Sequence, residues 1–297
     1  MIFPEGNNKA FAYAFLFLKI FRERVGRDYP STIYHVQFGG LIAFVSTFLL
    51  GGRVVISFHG TDLHGGTPTG WLSKTKARVN CVLSNWAASR ASCISVVSPT
   101  LVQYLTKPLK YDPMIIGTGF DPDIFFPRDK QYCKDQLKLD SSVNFVFFSD
   151  ISSSAVKRRD IAELVIRELN NLSDQTYDLL VATQLPHDMI PFYLNSSECV
   201  LITSDKEGSP NIVKEALACG VPVVSVDVGD LAFHAATWEC VSVEPRDPLR
   251  LAERVLATSA MKVPNNDVKK AFSLENVAIK TVSMYESAAV RLANKAE

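Results

Sequence analysis

A chain of 297 residues, 47% hydrophobic and 21% charged, is long enough for two ordinary globular domains, which excludes a disordered chain and a disulfide-stapled miniprotein. Thirty-one Lys and Arg against 31 Asp and Glu leave no net charge, which argues against a general nucleic-acid binder, whose footprint is basic. The balance is uneven along the chain: residues 1–120 carry 12 basic and 5 acidic side chains, while the remainder carry 19 and 26.

The apolar stretches Phe11 to Leu18 and Leu41 to Leu50 are broken by Lys19 and by Gly51-Gly52, short of the roughly 20 residues that span a bilayer. No transmembrane helix and no secretory signal are expected. Cys81, Cys93, Cys133, Cys199, Cys219 and Cys240 form no C-x-x-C pair and have no His at ligand spacing. Neither a zinc site nor a disulfide framework follows, and the thiols are expected to be reduced, in a cytoplasmic protein.

The chain alternates short apolar runs, turns rich in Gly, Ser or Asp, and longer segments of helical period, the pattern of βα units around parallel sheets. In the first half a helix is predicted near residues 8–25, then strand 32–36, helix 40–50, strand 54–58, helix 71–90, strand 93–97, helix 99–106 and strand 114–116. Residues 119–142, rich in Pro and charge, read as a linker. The second half predicts strand 144–148, helix 158–170, strand 177–182, helix 188–195, strand 199–203, helix 210–219, strand 222–226, strand 240–243 and helix 247–258. This amounts to an α/β chain of two doubly wound, Rossmann-like domains. Ligands of such sheets bind beyond the carboxyl ends of the strands, so residues that directly follow strands are the functional candidates.

The most informative segment runs from Thr203 to Asp227 through Glu207-Gly208-Ser209-Pro210-Asn211-Ile212 and Glu215. It reads strand, loop, helix, strand. Ser209 is a candidate N-cap with Pro210 at the first helical position, and Gly220 is placed where a left-handed residue ends the helix. The free amides from Gly208 to Ile212 and the positive end of the helix dipole suit an anionic diphosphate. Glu207 and Glu215 set a carboxylate on each side of that position, and carboxylates are good acceptors for paired sugar hydroxyls. A glycosidase acid and nucleophile would flank the scissile bond from opposing walls, whereas this pair shares one helix cap.

This segment resembles the E-x7-E motif of the retaining GT-B glycosyltransferases of family four, and fits it from Glu207 to Asp230. The resemblance implies two domains facing a central crevice: residues 1–125, on the acceptor side and completed by the C-terminal helix 273–297, and residues 141–272, binding the nucleotide sugar. It implies that Glu207 and the following amides meet the donor sugar and that Glu215 takes the ribose hydroxyls. Val156-Lys157-Arg158-Arg159-Asp160 is similar to the family's diphosphate-binding loop, with Lys157 the first choice and Arg158 the second. Ser149 to Ser154 stands where the family often has a further Arg. Val54 to Phe58 followed by His59 resembles the strand that ends in the crevice histidine. Gln37-Phe-Gly39-Gly40, Val97-Ser98 and Ile116 to Asp121 match further turns, with Gly39 and Gly40 on the acceptor side. Pro186-His187 occupies the base-contacting turn. About 32 residues precede Ile33, so a shortened first domain is implied, with Met1 to Gly6 as its abbreviated first strand and loop or that unit absent.

The expectation is a retaining hexosyltransferase that moves a sugar from a nucleotide-diphosphate donor to a carbohydrate or lipid-linked acceptor in cell-envelope or surface polysaccharide synthesis, with no cofactor and no metal. The alternatives are a non-catalytic nucleotide-sugar-binding subunit that needs a partner, a GT-B sugar-nucleotide epimerase, and a remnant that binds nothing. The basic first domain is expected at an anionic membrane surface. Lys19, Arg22, Arg24 and Arg27 end one helix, Lys74, Lys76 and Arg78 open another, and Phe11, Phe15 and Leu18 recur on one face.

Overall fold

A computed structural model describes residues 18–26, 28–66, 68, 70–150, 155–258 and 260–294. The expectations for Met1 to Gly6, Phe11, Phe15, Arg27 and residues 151–154 lie outside these. The chain divides into two units, one running to Ile116 and resuming at Ile279, the other Gly117–Ala278.

Among the described residues the first unit holds a parallel sheet of four strands, β1 (Tyr34–Val36), β2 (Val54–Phe58), β3 (Cys93–Val96) and β4 (Met114–Ile115), in that spatial order. Parallel strands need crossovers, supplied here by the helix Gly40–Leu50 and then by Thr61–His64 with Trp71–Arg90. A strand covered on both faces reads as a continuous apolar run, and Val54, Val55, Ile56 and Phe58 are fully buried. Ser57 interrupts that run for a reason: its hydroxyl meets Ser95 Oγ at 2.7 Å and His35 Nε2 at 2.8 Å. The His35 Nδ1 lies 2.7 Å from the hydroxyl of Tyr285, on the helix Leu274–Ala293. The helix expected at 99–106 is a 3-10 helix, Pro99–Tyr104. Ser98 caps its start, and the Asn85 side chain ends it by bonding Tyr104 O and the Thr106 amide.

The second unit holds five parallel strands, β5 (Val143–Ser149), β6 (Thr176–Ala182), β7 (Ser197–Ile202), β8 (Val223–Val226) and β9 (Val241–Glu244), in the order β6-β5-β7-β8-β9. From β5 the chain steps outward to β6 and then crosses back to β7. The carboxyl ends of β5 and β7 therefore meet at a reversal of strand order, the place where doubly wound sheets bind ligands. The helix Arg159–Leu172 buries Ile161, Ala162, Val165, Ile166 and Leu169, one stripe of a 3.6-residue period, and packs beside Pro248–Thr258.

Two expectations are corrected. Residues 119–142 are not a linker: Phe120 and Phe125 are buried in the core of the second unit, and the helix Lys130–Gln136 is capped by Asp129, which accepts from Tyr132 N at 2.7 Å. The boundary falls earlier because Phe120 is pinned by its backbone, its amide donating to Phe272 O and its carbonyl accepting from Leu274 N, both at 3.0 Å. The C-terminal boundary falls later than 273, at Ala278/Ile279, inside the helix Leu274–Ala293. Among the described residues four helices had no expectation, Thr61–His64, Lys130–Gln136, Leu231–Thr237 and Asn265–Phe272.

Candidate functional site

In the second unit the loops after β5 and β7 are laced together. Thr203, fully buried directly after β7, donates its hydroxyl to the carbonyls of Lys157 and Arg158 at 2.9 Å, and the Asp205 amide donates to Val156 O at 2.8 Å. Lys157 ends a 3-10 turn, Ala155–Lys157, and Arg158 then takes a left-handed conformation, φ +55°, to enter the helix that follows. For a non-glycine residue that costs roughly 1–2 kcal/mol, and the Thr203 clasp holds the strained carbonyl in place. The lacing sets Lys157 Nζ 2.7 Å from Glu207 Oε1, which also accepts from Ser204 Oγ at 2.7 Å. Phe148, Ser149, Lys157, Ser204, Glu207 and Pro210 line a small recess there. Arg158 faces elsewhere: its guanidinium makes a two-point contact with Asp160 at 2.8 and 2.9 Å and reaches Asp205 at 3.4 Å.

The helix after this loop is Asn211–Ala218, one residue later than expected, and its N-cap is Pro210. Ser209 does not cap it, because its hydroxyl lies 2.8 Å from Lys214 Nζ. The first amides of the helix have no partner within it, which leaves the stretch from Gly208 to Ile212 suited to an anion. Gly220 does end the helix in a left-handed conformation, φ +79°, with Val221 N bonded to Ala216 O at 2.9 Å and Gly220 N to Leu217 O at 3.1 Å, the pairing of a Schellman cap. The Glu207 loop is braced from the other side by Gly229, φ +63°, where an added Cβ would meet Gly208 O at 2.6 Å and Glu207 Cβ at 3.2 Å.

Glu215 is buried, and its Oε1 lies 3.4 Å from His187 Nε2. Burial raises the Glu215 carboxyl above the ordinary carboxylate value, with the His187 ring opposing the rise. His187 opens the turn His187–Met189 and meets the Phe125 ring edge-on at 5.2 Å. Lys214, its neighbour in the helix, is 1% exposed, and burial pushes its ammonium down to about 8.

In the first unit Gly39, Gly40 and His59 gather around one buried carboxylate. Asp62 accepts from the amides of Gly39 at 2.9 Å, Gly60 at 2.8 Å and His59 at 3.1 and 3.2 Å. Neither glycine tolerates a side chain: a Cβ on Gly39 would lie 2.3 Å from Ser84 Oγ, and one on Gly40, φ +75°, 2.1 Å from Asn80 Oδ1. The His59 ring lies 4.4 Å from that of Phe38, with Nε2 3.1 Å from Gln37 Oε1. Burial lowers the His59 pKa, against the pull of Asp62. Lys157, Arg158, His187, Glu207 to Ile212 and Glu215 thus belong to the second unit, and Gly39, Gly40 and His59 to the first.

Sequence reasoning missed Thr203, Ser204, Asp205, Asp62, Lys214 and Arg246, which donates to Ser204 O at 2.7 Å and pairs with Asp205. The residues from Thr203 to Asp205 carried a usable signal, since they directly follow a strand. Arg246 carried none, because its partners are more than 40 positions away. Among the described residues no cluster of three or more His, Cys, Asp or Glu is placed to hold a metal ion, and no helix is long and apolar enough to cross a membrane.

Residues 141–260 match the family described as Glycosyl transferases group 1. The putative teichuronic acid biosynthesis glycosyltransferase TuaC of Bacillus subtilis (strain 168) is 32% identical over 76 residues, 26% of this chain and 20% of that protein. The match thus spans about a fifth of that relative's length. A glycosyltransferase from Rickettsia africae ESF-5 is similar in structure, with a TM-score of 0.64 and 16% identity over 96% of this chain and 83% of that one. Alr3699/HepE of Anabaena, in complex with UDP, gives 0.63 and 18% over 92% and 82%. These likenesses establish an α/β GT-B fold.

Proposed function

We propose that the protein is a retaining glycosyltransferase that moves a sugar from a nucleoside-diphosphate sugar to a hydroxyl acceptor, in the synthesis of a cell-envelope or surface polysaccharide. The observation that carries the reading is the Lys157–Glu207 pair at 2.7 Å, set at the reversal of strand order beside the head of the helix Asn211–Ala218. An ammonium paired with one carboxylate in a recess is a ready partner for a diphosphate, and Lys157 is assigned to the charge that develops on the departing phosphate. The amides from Gly208 to Ile212 hold the diphosphate, Glu207 accepts from the donor sugar, and the buried Glu215 accepts from the ribose hydroxyls with His187 beside it. Arg158 is assigned the supporting role, through its hold on Asp160 and Asp205. His59, whose pKa burial lowers, is assigned to sugar recognition, and Gly39 and Gly40 give the acceptor a close approach to backbone. No cofactor or metal is assigned.

The match of residues 141–260 to a glycosyltransferase family supports the class. The teichuronic acid relative and the UDP-bound neighbour make a UDP-sugar the first donor to try and a surface glycan the first acceptor class. The first unit is proposed to rest on an anionic membrane from the cytoplasmic side, which would bring it to a lipid-linked acceptor.

The test offers the purified protein UDP-, GDP- and ADP-sugars with and without glycan acceptors, follows product against donor hydrolysis, and reads the anomeric configuration by NMR. Product of retained configuration is expected. Donor binding with no product from any acceptor would favour a non-catalytic subunit, inverted product would remove the retaining assignment, and interconversion of the donor sugar would favour the epimerase.

A further inference from the structure

Burying an ammonium costs several kcal/mol unless its protons are accepted. Lys214 is buried, yet hydroxyls answer its charge rather than a carboxylate: Nζ lies 2.7 Å from Thr118 Oγ1 and 2.8 Å from Ser209 Oγ, and 5.7 Å from the centre of the Phe272 ring. An ammonium only donates. Both hydroxyl oxygens must therefore accept from it, and each hydroxyl proton must point somewhere else. For Thr118 the destination is Asn211 Oδ1. For Ser209 no acceptor is present among the described residues. Its hydroxyl proton is left facing away from Lys214, two residues after Glu207 and one before the N-cap of the helix whose amides await an anion.

We propose that Lys214 is a positioning residue which fixes the Ser209 hydroxyl as an outward hydrogen-bond donor to a diphosphate oxygen of the nucleotide sugar. The inference rests on the glycosyltransferase reading and adds to it a residue that does not itself touch the donor. The relay runs from ammonium to hydroxyl to phosphate oxygen, and each bond in such a chain polarises the next. An anionic oxygen is the acceptor that gains most from that order. The buried charge thereby acts at the diphosphate without occupying space beside it.

The arrangement holds while Lys214 is protonated. The charged groups acting on it are Glu215, which carries His187 at 3.4 Å, and Asp230, which carries His234 at 3.3 Å. Once the ammonium loses a proton the neutral amine can accept, and the Ser209 hydroxyl is free to turn inward. The Ser209 contribution to binding is thus present below about pH 8, where Lys214 titrates, and is lost above it.

The test is calorimetry on the full chain with UDP, GDP and ADP, continuing with whichever binds wild type most tightly. Ser209→Ala and Lys214→Met should each weaken it about tenfold, the size of one lost charge-assisted hydrogen bond. The double variant should be no weaker than about tenfold, because the two act as one unit. Between pH 7 and pH 9 the ratio of wild-type to Ser209→Ala affinity should fall towards one, a comparison in which Glu215, Asp230 and both histidines cancel because both proteins carry them. This arm needs only the Ser209→Ala protein, so it decides the matter even if Lys214→Met fails to fold. Multiplying losses in the double variant, or a ratio that stays flat with pH, would overturn the proposal and leave the glycosyltransferase reading intact. Wild-type protein that binds none of the three diphosphates would remove both.

Discussion

The role proposed for Glu215 sets opposing demands: accepting ribose hydroxyls needs a carboxylate, while burial favours the neutral acid. Its pKa is higher in the folded than in the unfolded chain, so the folded state binds the proton more readily and stability falls as pH rises from the ordinary value of 4.5 through the raised one. Above that window the charged carboxylate is a standing cost. Glu215→Gln is therefore expected to melt at or above the wild-type temperature at pH 7.5, with the difference shrinking towards pH 4, while nucleoside diphosphate binding weakens about tenfold to a hundredfold. A melting temperature well below wild type at pH 7.5 would show that the carboxylate has structural work instead. Lys157 is predicted to act on rate more than on binding, since its charge matters most as the phosphate leaves. Lys157→Ala should lower kcat by a larger factor than it raises the donor Kd, and equal factors would reduce Lys157 to a binding residue.

Loops fixed by close backbone contact carry the site at the next scale up, and two left-handed glycines separate folding from function. Gly220→Ala places its Cβ no closer than 3.6 Å to any neighbour, so it should cost only the left-handed strain of roughly 1–2 kcal/mol and leave diphosphate affinity unchanged. Gly229→Ala carries the same strain and also drives a Cβ to 2.6 Å from Gly208 O, which must displace the Glu207 loop. It should lose both stability and diphosphate binding. Paired melting curves and calorimetry check this, and an unchanged affinity in Gly229→Ala would mean that the loop accommodates the methyl. At this scale much was legible. The bounds 40–50, 54–58 and 71–90 coincide with the observed elements, because Gly and charged residues punctuate those apolar runs. The Glu207–Gly220 segment was legible for a similar reason, since helix-ending glycines need a left-handed backbone that few other residues adopt. The short helix Lys130–Gln136 was not, because the signal for a helix start, Asp129, is buried in a charged stretch that reads equally well as a loop.

For the whole molecule, the basic excess before residue 120 has a physical counterpart in exposed apolar side chains. Trp71, 76% exposed, and Leu72 stand beside Lys74, Lys76 and Arg78, and Leu18, Phe21 and Val25 beside Arg22 and Arg24. Each basic residue near an anionic surface contributes up to about 1 kcal/mol, screened by salt. The protein should co-sediment with phosphatidylglycerol-containing vesicles at low salt, not with neutral ones, and be released by moderate salt. Protein left in the supernatant at low salt would count against membrane docking.

The sequence by itself determined the α/β class, most of the succession of strands and longer helices, and the segment from Glu207 to Glu215, because period, glycine position and residues that follow strands are local properties. It did not determine where the units divide. Phe120, Phe125 and the capped helix after Asp129 joined the second unit through bonds to Phe272, Leu274 and Asn195, partners about 70 to 150 positions distant along the chain. Nor did it determine the work of the individual side chains at the site. Ser209 read as a helix cap, and the helix start offered no reason to doubt it. The Lys214 ammonium reaches this hydroxyl from five residues along the same segment, but only tertiary packing buries it, and a buried charge outcompetes a cap for the same oxygen because leaving it unanswered costs more than an uncapped turn.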